Sequence, residues 1–149
     1  MKEATLAAAS QVFPPLARHL WRRARRYVGG RHLGEVVATA EALRDRGAEV
    51  SVDVFGTSGR DEADVRQTTE AYAELPATVW RSVDLSHVGL RWSRAVAKHA
   101  ATELAAGVPA GARLQVGAEE AALTDEVLAI VRELAAEGAP VMATVQANL

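Results

Sequence analysis

Val50-Ser51-Val52-Asp53-Val54-Phe55-Gly56 alternates β-branched with polar residues and stops at a glycine. It comes directly after Leu33, Val36, Val37, Ala40 and Leu43, which are spaced as one face of a helix that closes at Gly47. Period 3.6 followed by period 2 reads as a helix feeding a strand. The same alternation continues to the end of the chain. Asp61 to Leu75 has helical spacing and Pro76 precedes a second strand over Thr78–Leu85; Arg94 to Ala106 is helical, broken by Gly107 and Pro109 before a third strand at Arg113–Val116. Thr124 can cap a helix over Asp125–Glu137, and Gly138-Ala139-Pro140 leads into a fourth strand at Val141–Gln146. The strands begin near residues 50, 79, 113 and 141, spacings that leave room for the helical crossover a parallel pair requires. Consecutive crossovers of one hand produce either an open doubly wound sheet or a closed barrel, and periodicity does not choose between them. Four βα units are half of a (β/α)8 barrel.

Composition narrows the function classes. A chain of 149 residues and 49% hydrophobic content suits one globular domain rather than a multidomain enzyme. Lys+Arg 17 against Asp+Glu 19 leaves a formal net charge of −2, so the bulk charge gives no basic footprint and no nucleic-acid partner is expected. Cys 0 removes disulfides, thiolate nucleophiles and cysteine-based zinc sites, and a cytoplasmic location is the default expectation. No apolar run reaches the length of a membrane span, and no signal peptide is legible. The positive charge is local. Arg18, His19, Arg22, Arg23, Arg25 and Arg26 crowd around Pro14-Pro15, Trp21 and Tyr27, so residues 1–30 read as a basic helical segment ahead of a 31–149 barrel-like domain. Such a segment packs on its domain, or makes peripheral contact with an anionic membrane or with RNA.

The familiar catalytic motifs are missing: there is no GxGxxG, no GxxxxGK[ST], no HExxH, and Gly56-Thr57-Ser58-Gly59 is not a nucleophile elbow. In parallel α/β folds the carboxyl ends of the strands face the ligand. The polar residues there are Asp53 and Thr57; Asp84, Ser86 and His87; Glu119 and Glu120; and Gln146 and Asn148. Asp84, Glu119 and Glu120 form a carboxylate set suited to acid/base work or a hard cation, or are solvated loop acids. His87 reads as a surface loop histidine or a general base, and Trp80 and Trp92 read as packing residues.

The order of segments resembles the proline dehydrogenase family. Arg26-Tyr27-Val28-Gly29-Gly30, Val52-Asp53-Val54-Phe55-Gly56, Ser82-Val83-Asp84-Leu85-Ser86-His87-Val88-Gly89-Leu90, Arg113-Leu114-Gln115-Val116-Gly117-Ala118-Glu119-Glu120-Ala121 and Val145-Gln146-Ala147-Asn148-Leu149 are similar to that family's successive motifs, in its order and spacing. The resemblance implies a flavin-binding variant of the (β/α)8 barrel, with FAD as cofactor. It implies oxidation of L-proline to Δ1-pyrroline-5-carboxylate and electron delivery to a quinone. The family's lysine on the second strand falls on Asp84, and its aspartate at the end of the third strand falls on Gly117. The backbone at Ala118 and the amide of Gln146 keep positions that contact flavin in the family.

Both positions of the family's charged pair are thus substituted, and the family's substrate-gripping arginines lie beyond Leu149. The expectation is a proline-dehydrogenase-like chain that is inactive by itself. An alternative is a non-catalytic interaction protein that self-associates through open sheet edges, as a homo-oligomer or with a complementing chain, because unpaired strand edges invite pairing.

Overall fold

The computed structural model describes residues 27–30, 32–54 and 59–146. Residues 1–26 of the basic 1–30 segment, Arg31, Phe55 to Ser58, and Ala147-Asn148-Leu149 lie outside the described residues. Two compact units divide the chain at residue 41. In the first, the helix α1 (Leu33–Arg44) begins; the amides of Glu35 and Val36 donate to the His32 carbonyl, and Thr39 Oγ1 donates to the Gly29 carbonyl at 2.8 Å.

The second unit holds β1 (Ser51–Asp53), α2 (Glu62–Ala73), β2 (Trp80–Val83), α3 (Arg94–Ala106), β3 (Leu114–Val116), α4 (Ala121–Ala136) and β4 (Val141–Ala143). The strands form one parallel sheet in the order β1-β2-β3-β4, with Asp53 opposite Ser82, Ser82 opposite Gln115, and Gln115 opposite Met142. The architecture is therefore α/β with a four-stranded parallel sheet. The strand order has no reversal, so the described strands contain no topological switch point of the doubly wound kind. α2 packs on α3 and α3 on α4, which places the three crossover helices side by side on one face of the sheet.

That face is the core. Val52, Val83, Leu114, Val116 and Val141 point under the helices and are buried. They meet Val65 and Tyr72 of α2, Ala97, Ala100, Ala101 and Leu104 of α3, and Val127, Ile130, Val131 and Leu134 of α4. The alanines of α3 let the central helix sit close to the strands between its neighbours. Arg81 also lies on the helix side, where its Nη1 donates to the Leu104 carbonyl at 3.2 Å. A cation at the carboxyl end of α3 offsets the negative end of the helix dipole, although partial burial lowers the proton affinity of Arg81. The alternate residues Ser51, Asp53, Ser82, Gln115 and Met142 face the other way, and the described helices leave them uncovered except at Asp53, whose carboxyl the Tyr72 hydroxyl of α2 reaches.

Asp61 caps α2 by accepting from the Asp64 amide at 3.0 Å, and Ser93 caps α3 by accepting from the Val96 amide. α4 departs from the expectation that Thr124 caps it. The helix starts at Ala121, Thr124 Oγ1 donates to the Glu120 carbonyl within the first turn, and no side chain caps the end. The strands are shorter than the alternation suggests. β2 ends at Val83 because Asp84 to Ser93 winds into successive turns, with His87 N donating to Asp84 O at 2.9 Å and Leu90 N to Leu85 O at 2.9 Å. Gly89 makes this possible with φ +99°. β4 ends at Ala143, one residue before the last backbone bond that β3 supplies, from Thr144 N to Val116 O.

Gly59 N donates to Ser86 O at 2.9 Å, so the chain after β1 closes onto the turns after β2. A Cβ on Gly59 would stand 2.7 Å from His87 O and 2.8 Å from Gly89 N, both backbone atoms that cannot swing aside. Gly59→Ala is expected to lower stability by about 1–3 kcal/mol in urea denaturation, the usual cost of overpacking. Gly34→Ala has nothing within 4 Å of the new methyl, and in a helix it is expected to raise stability by about 0.5–1 kcal/mol.

Candidate functional site

The carboxyl ends of β1, β2 and β3 bring Asp53, Asp84, His87 and Gly117 to one end of the sheet, where one side chain from the helix layer meets Asp53. Tyr72 is fully buried. Its hydroxyl lies 2.9 Å from Asp53 Oδ1 and 2.5 Å from the Ser82 carbonyl, and it accepts from Val54 N at 3.1 Å. A phenol has one proton for two acceptors. Burial, then the charge of Asp53, raises the Tyr72 hydroxyl far above its usual range, so it stays protonated. The Asp53 carboxyl is pushed upward mainly by its removal from water. The Tyr72 hydrogen bond pulls it back, while the Asp84 charge raises it and His87 lowers it. Asp53 as a residue remains exposed, because solvent reaches its outer edge while the oxygen bound to Tyr72 is enclosed.

Asp84 and Gly117, just past the ends of β2 and β3, are in direct contact. A Cβ built on Gly117 would fall 1.9 Å from Asp84 Oδ1, so the Asp84 carboxylate occupies the space in which a side chain at 117 would begin. Gly117 N meanwhile donates to Val83 O at 2.9 Å, which continues the β2–β3 ladder past the end of β3.

The consecutive acids Glu119 and Glu120 point to different partners. Glu119 Oε1 accepts from the Ser86 amide at 3.0 Å and ties the loop after β3 to the turns after β2. Glu120 is bound at 2.8 Å by Arg91, which holds its carboxyl below the usual range. The set Asp84, Glu119 and Glu120 therefore does not converge, and among the described residues no group of three or more acids and histidines is placed to hold a metal. His87 is half-buried rather than a surface histidine, because Leu85, Val88 and Leu90 on the same turns are buried and draw the loop inward. Trp92 departs from a packing role: it is 48% exposed.

Ala118 and Gln146 line one groove of about 290 Å³ between the ends of β3 and β4 and the start of α4, with Val127, Leu128 and Val145 as its apolar lining. Its polar lining is Glu119, Thr124, Asp125, Thr144 and Gln146. The volume is at the small end for a ligand pocket, which runs from about 300 to 1,000 Å³. The Gln146 amide and the apolar walls suit the edge of a neutral ring, whereas two carboxylates and no cation do not suit an anionic pyrophosphate. The described lining thus does not fit FAD as a whole.

Tyr72 was not legible as a site residue: it sits on a helix and reads as core, and only the fold carries its hydroxyl to Asp53. Arg81 was equally hidden, within a strand otherwise built for burial.

No protein-family model matches the chain, and no curated protein matches it. What the fold and site define is an α/β chain with one helical layer, whose strand ends gather carboxyl groups. Among the described residues no helix is long and apolar enough to cross a membrane.

Two measurements bear on this arrangement. Asp53 binds its proton more tightly folded than unfolded, so stability falls as pH rises through and above the ordinary carboxylate range. Asp53→Asn is expected to flatten that limb of a stability–pH curve. Gly117→Ala forces the Asp84 carboxylate aside, so in a double-mutant cycle it is expected to be less damaging in an Asp84→Ala background, with a coupling of about 0.5–3 kcal/mol.

Proposed function

We propose that this chain is the first half of a proline-dehydrogenase-like (β/α)8 barrel from which the redox site has been lost, and that it serves as a non-catalytic interaction module. Support for the lineage comes from the collinear motifs, and from a sheet in sequential order with its crossover helices on one face. That is the arrangement of a barrel wall.

The observation that carries the loss of activity is the Asp84–Gly117 contact. Where the family has a lysine and an aspartate that attract one another and leave a cation for the substrate carboxylate, this chain has one carboxylate filling the space of both. A second acid, Asp53, stands close enough for its proton affinity to be raised by Asp84. Like charges repel, so this end of the sheet disfavours the carboxylate of L-proline. The groove at Ala118 and Gln146 retains contacts for a ring edge and lacks a counter-charge for the rest of FAD. With neither substrate nor cofactor held, delivery of electrons to a quinone has no source in this chain.

The test is the visible spectrum of the purified chain after incubation with FAD and desalting, followed by anaerobic addition of L-proline. The expected result is a colourless protein. A flavin band that survives desalting and bleaches with proline would overturn the proposal.

A further inference from the structure

We propose that the uncovered side of the sheet is closed by a second copy of this chain, through two parallel β4–β1 pairings that join two four-stranded halves into one eight-stranded barrel. The inference rests on the half-barrel reading above and adds the partner and its register. Among the described residues β1 and β4 are the outer strands, so each presents one backbone edge with no ladder partner. Parallel sheets occur almost only with both faces covered, and unpaired edges are templates for further strands. A body that closes this sheet has to offer β4 a parallel edge like that of β1, and β1 an edge like that of β4, at the same time. A second copy related by a twofold axis does both with one surface.

The ladder fixes where the strands meet. In an eight-stranded (β/α) barrel the register slips by about eight residues per circuit, and hence by about four per half. The row Asp53, Ser82, Gln115 and Met142 therefore arrives at the partner's Glu49. This sets Thr144, Val145 and Gln146 against the partner's Ser51, Val52 and Asp53. A slip in the opposite sense would set Ser51 against Ala136, the last residue of α4, where there is no strand.

All three rows are chemically matched. Thr144 and Ser51 are both exposed hydroxyls on the uncovered face. Val145 is 67% exposed in the single copy, and by alternation it shares the helix side with Val141. Opposite it the pairing places Val52, which is already buried there. The exposed Gln146 has an amide N–H₂ to donate to the Asp53 carboxyl. Closure covers the exposed Val145, extends β4 to the length its alternation suggests, and sets Gln146 beside the acid that Tyr72 holds.

The chain contains no cysteine, so introduced thiols report cleanly. Oxidation of the Ser51→Cys/Thr144→Cys double variant is expected to give a covalent dimer, as is a mixture of the two single variants, while neither single variant alone cross-links. Sedimentation of the unaltered chain is expected to show a dimer. Val145→Lys, at a site open to solvent in one copy, is expected to weaken that dimer by at least about tenfold in dissociation constant with an unchanged circular dichroism spectrum. A monomer with a native spectrum would overturn closure by a second copy and leave the half-barrel reading standing. A disulfide dimer from Ser51→Cys alone would place β1 against β1, continue an open sheet, and overturn both. A dimer indifferent to Val145→Lys would overturn the pairing.

Discussion

Three successive crossovers of one hand between neighbouring parallel strands are the constraint on which everything else in this chain depends. Because each strand lies next to the one before it, every crossover helix falls on the same face of the sheet. The apolar alternates of the strands must then all point one way, and Val52, Val83, Leu114, Val116 and Val141 do so. The other alternates are left to whatever lies on the far side, and most of them are polar: Ser51, Asp53, Ser82 and Gln115, beside Trp80 and Met142. The same geometry gathers the loops after β1, β2 and β3 at one end. That is why residues far apart in the chain, Asp53, Asp84 and Gly117, become neighbours there.

Within that end the polar groups are tightly accounted for. The Tyr72 hydroxyl serves the Val54 amide, the Ser82 carbonyl and Asp53 together, and Glu119 fixes the Ser86 amide. These bonds hold the β1, β2 and β3 ends in a single arrangement, and an unmade bond at a buried group is costly. The outer surface depends on weaker forces. Arg94 and Lys98 of α3 pair with Glu126 and Glu133 of α4 and with Glu137 just after it, but exposed ion pairs contribute about 0–1 kcal/mol each. They set how α3 and α4 face one another more than they stabilise the fold. The apolar seam of Ala97, Ala101, Val127, Ile130 and Leu134 beneath the helices carries the stability.

A carboxylate at the end of β2, near a second acid at the end of β1, changes what the strand ends can hold. Asp84 against Gly117 is a compact solution: the glycine leaves room, and the acid fills it. Asp53 holds its proton more firmly mainly because it is withdrawn from water, and the nearby charge of Asp84 adds to that. An end of a sheet arranged in this way repels an anionic group.

The element order, the four strands and the helices between them were legible in the sequence, because period 3.6 and period 2 alternate and glycines or prolines punctuate them. Gly47, for example, ends its helix with φ +85°. The contact of Asp84 with Gly117 was foreshadowed as a pair of positions, though not as an overlap in space. The sequence could not show that β2 stops at Val83, since Val83 and Leu85 keep strand spacing while hydrogen bonds of turn type decide the path from Asp84 to Ser93. Nor could it place Thr124 inside a helix rather than at its cap. The strand order belongs to tertiary structure too: it depends on which edges pair across long separations, and local periodicity carries no record of that choice. The same holds for Tyr72, whose helix position says core and whose role at Asp53 exists only once α2 is laid across the ends of β1 and β2.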